Sequence, residues 1–288
     1  MTDKESPIDL TVGGLFSYPV KGMRGVALGA TMMATTGTQH DRRWMLVDPR
    51  QTPAQFLSQR ELPDLATLAA TVNDEGELTL SSHGVVPIHI HGTDYATVRA
   101  VKVWNFETLA EDAGDFAADW CARALARPMG SVRLVRFDTA RTRLCNAAYA
   151  GDSGAHTWFA DGYPVLVANA ASLDDLNARI VTRGGQRLPM DRFRPNLVVH
   201  GLPAWDEDFV DTLTISDVVL KLVKPCVRCL VTTTDQQRGH RLGSEPLDTL
   251  ATFRNDADFG GVTFGWNAIV VTAGAIRTGA SVRAAYRF

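Results

Sequence analysis

Leu222-Val-Lys-Pro-Cys-Val-Arg-Cys-Leu-Val-Thr-Thr-Thr-Asp235 places two of the chain's four cysteines, Cys226 and Cys229, on either side of Val227 and Arg228. Upstream, Thr212–Val223 is rich in β-branched residues and broken only at Ser216-Asp217, which predicts a hairpin. Downstream, Leu230-Val-Thr-Thr-Thr reads as another strand. Pro225 has no N–H for a sheet ladder, so the chain is expected to leave the sheet there. The thiols and Arg228 then sit on a short turn at the rim of a β structure, where chemistry is commonly placed.

A Cys-x-x-Cys pair admits several chemistries. Structural zinc needs two more ligands, usually a second close pair. Cys121 and Cys145 are isolated, and the histidine pair His83 and His89 is remote in sequence. A thioredoxin-like dithiol needs a helix N-terminus to lower the thiol pKa, and here a strand-like run follows. A third reading is one thiolate binding a soft metal, with Arg228 beside it favouring the charged form. Two small buried hydrophobes are the bland alternative, above all for Cys226.

Three other segments offer cations at loops. Lys21 and Arg24 stand beside Gly22 and Gly25, which let backbone approach a ligand. Arg42 and Arg43 lead into the strand-like Trp44–Asp48. Arg192, Arg194 and Asn196 precede Leu197–His200, at a strand mouth. Arginine's planar fork suits phosphate and carboxylate. A ligand satisfying all of these groups and the cysteine turn would be anionic, polar and metal-bearing. Solvated basic loops are the plain alternative.

Around these groups the sequence predicts a mainly β chain with some helices (α+β). Short strands fall at Leu65–Val72, Glu77–Leu80, Val85–His91, Val101–Trp104, Val132–Phe137, Val165–Ala168 and Phe264–Thr272. His89 and His91 share one strand face, expected to be wet. A helix is expected over Asp112–Arg127, with Phe116, Trp120 and Ala124 on one stripe and Cys121 in the core. Ser172 is expected to cap a second helix, and Glu245–Leu250 to form a short third one. The run Asp138–Gly154 has little periodicity. It reads as a mobile connection between a domain over 1–140 and another over 141–288.

The chain has 288 residues, 45% hydrophobic content, 8% aromatic content and a formal charge of −3, ordinary for a soluble globular protein. No basic excess points to nucleic acid as the main partner. The charged start Met1–Pro7 has no apolar run, so no secretory signal is expected, and no stretch approaches the roughly 18 apolar residues of a membrane span. Four cysteines do not make a disulfide framework, so a reducing, cytoplasmic compartment is expected.

Tyr18-Pro-Val-Lys-Gly, Asp41-Arg-Arg-Trp, Ala160-Asp-Gly-Tyr-Pro, Phe193-Arg-Pro-Asn-Leu-Val and Lys224-Pro-Cys-Val-Arg-Cys, in this order, resemble the MOSC family and its amidoxime-reducing branch. The resemblance spans essentially the whole chain. It implies an N-terminal MOSC β-barrel domain followed by a MOSC β-barrel domain, and a molybdenum cofactor (Mo-molybdopterin). It puts the molybdenum thiolate at Cys229. Cofactor contacts would fall to Lys21 and Gly22, Arg42, Gly162 and Tyr163, Arg194 and Asn196, and Val227 and Arg228. Relatives can carry serine or threonine at Gly22, Gly162, Tyr163 and Val227, where this chain offers only backbone or the tyrosine hydroxyl. Asp161, beside the implied metal pocket, is the candidate for orienting substrate or passing protons. The implied activity is reduction of N-hydroxylated or N-oxygenated small molecules. Some relatives carry a C-terminal iron–sulfur domain and this chain ends at Phe288 without one, so electrons are expected from a separate donor of ferredoxin or flavin-reductase type. A non-catalytic cofactor or sulfur carrier is the rival reading.

Overall fold

A computed structural model describes residues 10–287 of the chain; the charged start Met1–Pro7 lies outside the described residues. The hairpin expected around Ser216 is present. Val210–Ile215 and Val218–Val227 pair antiparallel, with Ser216 at φ 51° in the turn. Leu213, Ile215, Val218, Leu220 and Leu222 alternate inward and are buried, as the two-residue period of a strand requires.

This hairpin lies within a nine-stranded sheet. Val218–Val227 pairs with the long strand Gly261–Thr272, which pairs in turn with Val165–Asn169. Beyond it come Leu197–His200, Thr11–Ser17 and Val26–Leu28, while Val282–Tyr286 closes the other edge. Val165–Asn169 and Leu197–His200 run parallel, linked by the helix Ala170–Thr182 as a crossover. Hydrogen bonds from Thr11–Ser17 to Leu197–His200 therefore cross the 140/141 division, which stands as a proposal for the domain boundary.

A second unit is a closed ring of five strands. Trp44–Asp48 pairs with Ala54–Phe56, followed by Thr97–Val103, Phe106–Asp112 and Arg133–Phe137, which pairs back onto Trp44–Asp48. Closure removes sheet edges, and the interior is filled by Met45, Val47, Val101, Val103, Val135 and Phe137. Phe159, from the later half of the chain, completes that core. Val20–Lys21 adds in parallel to Trp44–Met45, which fixes Lys21 at the rim of this barrel. The chain is mainly β with few helices, as expected.

Several local expectations are corrected. Pro225 stays inside its strand, opposite Trp266, because the register shifts on both sides of it and a bulge tolerates a missing N–H. Leu230–Thr233 is a turn of 3-10 helix rather than a strand. Thr232 and Thr233 donate their hydroxyls back to the carbonyls of Cys229 and Leu230, an alternative to a sheet ladder. Pro63–Thr67 is likewise 3-10 helix, so the strand expected from Leu65 begins at Ala69.

The helix Gly114–Ala124 buries Ala117, Ala118, Trp120 and Cys121, while Phe116 is 65% exposed and faces away. Asn169, not Ser172, caps the helix Ala170–Thr182, accepting from the N–H of Ala171. Ser172 is buried and donates to Glu207. The segment Asp138–Gly154 is tied down. Arg143 is buried within it and donates to the carbonyls of Trp158, Ala160 and Asp161. His89 and His91 are exposed. Among the described residues no helix is long and apolar enough to cross a membrane.

Candidate active site

Between the barrel rim and the large sheet lies a cleft open to solvent. Its walls include Lys21, Gly22 and Arg42 from the first half and Asp161, Gly162 and Tyr163 from the segment before Val165–Asn169. Arg194 and Asn196 reach it from the mouth of Leu197–His200, and Val227, Arg228 and Cys229 from the cysteine turn. The eleven residues that the family resemblance implied thus line one cavity, whereas Arg24, Arg43 and Arg192, also expected at the ligand from their charge, do not line it. Five cationic side chains, including Arg60, and one carboxylate, Asp161, line it.

The cysteine turn is shaped by its neighbours. Arg228 donates its backbone N–H to the Val262 carbonyl, and from its guanidinium to Cys226 Sγ at 2.8 Å and the Phe193 carbonyl at 2.7 Å. Cys226 is therefore engaged by Arg228. Cys229, where the chain turns into the Leu230–Thr233 helix, lies in the cleft wall, with Arg60 Nη2 donating to its Sγ at 3.3 Å. Both thiols are half-buried and free, whereas Cys121 and Cys145 are buried, and burial pushes their thiols up to about 12 and about 11. Among the described residues no three His, Cys, Asp or Glu side chains gather to hold a metal, so a closed zinc site has no ligand set.

Asp41 is the hub of the cation cluster. Its carboxylate is 2% exposed and accepts from the Tyr18 backbone N–H, from Arg42 Nη1 and from Asn196 Nδ2. Asn196 Oδ1 in turn accepts from Arg42 and from the Leu166 N–H. Arg42 and Arg194 both lie over the Tyr18 ring, 4.2 and 4.3 Å from its centroid. Two guanidinium groups held this close repel, and the aromatic face with its negative quadrupole offsets part of that cost. Burial drives the Arg194 guanidinium down to about 10, with Arg42 adding to the effect and Tyr18 and Asp41 opposing it. Such a site favours an anion.

Lys21 Nζ meets Asp161 Oδ1 at 2.5 Å; the lysine side chain is 9% exposed and the carboxylate 74%, standing in the open cleft. Burial pulls the Lys21 ammonium below its usual range, against the pull of Asp161. At Asp161, partial desolvation within the cleft raises the carboxyl, but the charge and hydrogen bond of Lys21, the Trp104 N–H and Arg60 outweigh it and hold the group below the ordinary carboxylate range. Asp161 is thus ionised near neutral pH.

Two glycines shape the cleft wall. Gly22 has φ 85°, a left-handed conformation that favours glycine, and its carbonyl accepts from Gln59. A Cβ on Gly162 would meet nothing within 4 Å, so glycine there leaves open space in the cleft. The Tyr163 hydroxyl is buried with no partner, and so is Arg228 Nε. An anionic, oxygen-rich group would satisfy donors of this kind, so the residues present fit a phosphate-bearing pterin with a thiolate-bound metal.

Sequence reading missed Arg60, Trp104, Gln59 and Gln236. Gln59 and Gln236 exchange amide hydrogen bonds at 3.1 and 2.9 Å across 177 residues, and Gln236 Oε1 also accepts from Arg194 Nη1 at 3.1 Å. Trp104 Nε1 donates to Asp161 at 3.1 Å. Nothing near these residues in sequence marks them; only the positive charge of Arg60 offered a signal.

A closed five-stranded barrel joined to a larger sheet, with the half-buried thiols of Cys226 and Cys229 and converging cations lining the cleft between them, is the plan of a MOSC protein. The description MOSC domain matches residues 155–283, and MOSC N-terminal beta barrel domain matches residues 9–128. Over 254 residues the chain is 31% identical to the mitochondrial amidoxime-reducing component 1 of Mus musculus, covering 85% of this chain and 71% of that protein. It is 32% identical over 258 residues to the corresponding Homo sapiens protein, covering 85% and 72%. A molybdenum cofactor sulfurase of Oryza sativa subsp. japonica is 28% identical over 85% of this chain and 31% of its own length. This chain belongs to the MOSC family. The names of these relatives tie the family to molybdenum-cofactor-associated chemistry and, for the amidoxime-reducing components, to an oxidoreductase role.

Proposed function

We propose that this chain is a molybdenum-cofactor oxidoreductase that reduces N-hydroxylated and N-oxygenated small molecules, amidoximes and N-hydroxylated bases among them. The observation that carries this reading is Cys229. It is a half-buried thiol in the wall of a cleft with five cations against one carboxylate. The bound cofactor would supply two-electron removal of oxygen from the N–O group, a soft metal on a thiolate being suited to it.

The residues divide the remaining tasks. Cys229 is the protein ligand to the metal. Lys21, Arg42 and Arg194 supply donors to the anionic arm of the cofactor, and Asn196 and Asp41 fix the direction of Arg42. Backbone at Gly22, Gly162 and Val227 and the hydroxyl of Tyr163 complete the cradle, with Arg228 orienting the turn. Asp161, kept ionised, suits accepting an N–H of the substrate better than giving up a proton. In the Lys21–Asp161 pair the proton-bearing member is Lys21.

The balance is an amidoxime plus two electrons and two protons giving an amidine and water. Electrons come from a separate protein of ferredoxin or flavin-reductase type. Four unpaired cysteines fit a reducing, cytoplasmic setting. The test is turnover of benzamidoxime by protein from a cofactor-making host, with reduced viologen as electron source. Benzamidine should form, with two electrons consumed per molecule. Cofactor-loaded protein that forms none would instead be a carrier of the cofactor or of sulfur.

A further inference from the structure

Arg60 sits beside the proposed metal ligand and, among the described residues, makes no ion pair within 4 Å, although its charge reaches Asp161. Its Nη2 donates to Cys229 Sγ at 3.3 Å, and its guanidinium lies over the Trp104 indole, 4.4 Å from the ring centroid. The loop that bears it is pinned from several sides. Gln59 donates to the Gly22 carbonyl and pairs with Gln236, and Arg241 donates to the carbonyl of Arg60 itself. Trp104 is fixed in turn by its N–H to Asp161 and by an edge-on contact with Phe56, centroids 5.0 Å apart. Arg60 does not belong to the Tyr18 cluster, where Arg42 and Arg194 gather. It is a preorganised cation at the sulfur, outside any ion pair among the described residues.

We infer that Arg60 is a specificity-determining residue, a charge filter that favours planar N-oxygenated compounds carrying a carboxylate and disfavours those carrying a fixed cation. A guanidinium fork grips a carboxylate in two parallel hydrogen bonds, and it repels a second cation at the same place. The substrate class rests on the proposed N–O reduction, whereas the charge preference at Cys229 is open to measurement without it.

The first experiment uses the full chain carrying Cys226→Ser, from a host that lacks the cofactor. Alkylation of Cys229 by iodoacetate and by iodoacetamide is followed by peptide mass spectrometry. The iodoacetate-to-iodoacetamide rate ratio should fall about fivefold in Arg60→Gln, the effect of one unit charge about 4 Å away in water, and be kept in Arg60→Lys. An unchanged ratio in Arg60→Gln overturns the inference. In loaded protein, the kcat/KM ratio of 4-carboxybenzamidoxime to 4-(trimethylammonio)benzamidoxime should fall by a similar factor in Arg60→Gln, with molybdenum content unchanged. Loss of molybdenum in that variant would overturn the inference by making Arg60 a cofactor ligand. Wild-type protein inactive on both compounds would sink the N–O reduction, and the alkylation ratio would then decide the role of Arg60 alone.

Discussion

Lys21 and Asp161, 140 residues apart, form an ion pair in which the lysine is buried in the barrel rim and the carboxylate stands in the cleft. The pair joins the two halves of the chain at the site. Its partners are held below their ordinary pKa for opposite reasons, Lys21 by burial and Asp161 by the cations around it.

The pH dependence follows from the carboxylate. Its folded pKa lies below the unfolded value of about 3.9, so the unfolded chain binds the extra proton first as pH falls. The stabilisation is present above that value and is lost as pH drops toward the lower folded pKa. Asp161→Asn should therefore lower the urea midpoint at pH 7, where it strands the Lys21 ammonium, and the deficit should shrink below pH 4. A deficit that stays constant from pH 7 to pH 3 would show that the pair carries no such linkage.

Asp41→Ala removes the acceptor shared by the Tyr18 N–H, Arg42 and Asn196. Removing one partner of a buried ion pair costs about 3–5 kcal/mol. Urea unfolding should register a loss of that size together with weaker retention of the cofactor. A loss below about 1 kcal/mol, the range of surface pairs, would place Asp41 outside the framework of the site.

Gln236→Leu should act at a distance. It leaves Arg194 Nη1 and the Gln59 amide without their partner, at a cost of about 1–3 kcal/mol for an unsatisfied buried group. Molybdenum content after gel filtration should fall while secondary structure by circular dichroism is kept. Full retention of the metal would mean that Arg194 is positioned by Tyr18 alone.

The residues that line this cleft were marked in the sequence by the motifs that resemble the MOSC family, while charge near strand ends alone also pointed to Arg24, Arg43 and Arg192, which do not line it. The hairpin at Ser216 and the barrel strands Trp44–Asp48, Thr97–Val103 and Arg133–Phe137 were legible through β-branched runs and turn residues, whereas Ala54–Phe56 and Phe106–Asp112 were not. What was hidden depends on partners remote in sequence. Pro225 stays in its sheet through bulges opposite the Trp266 strand. The Leu230–Thr233 run turns because its threonines bond backwards. The exposed face of Phe116 reflects which side of its helix meets the barrel, a choice between stripes that periodicity alone does not make. Arg60 and Trp104 reach the cleft only once the barrel closes.

The most direct test compares Cys229→Ser with Cys226→Ser, each produced in a cofactor-making host, for bound molybdenum and benzamidoxime reduction. Cys229→Ser should lose the reduction and most of the metal while keeping wild-type circular dichroism, and Cys226→Ser should retain both. Full reduction by Cys229→Ser, or its loss in Cys226→Ser alone, would contradict the assignment of Cys229 as the thiolate on the metal.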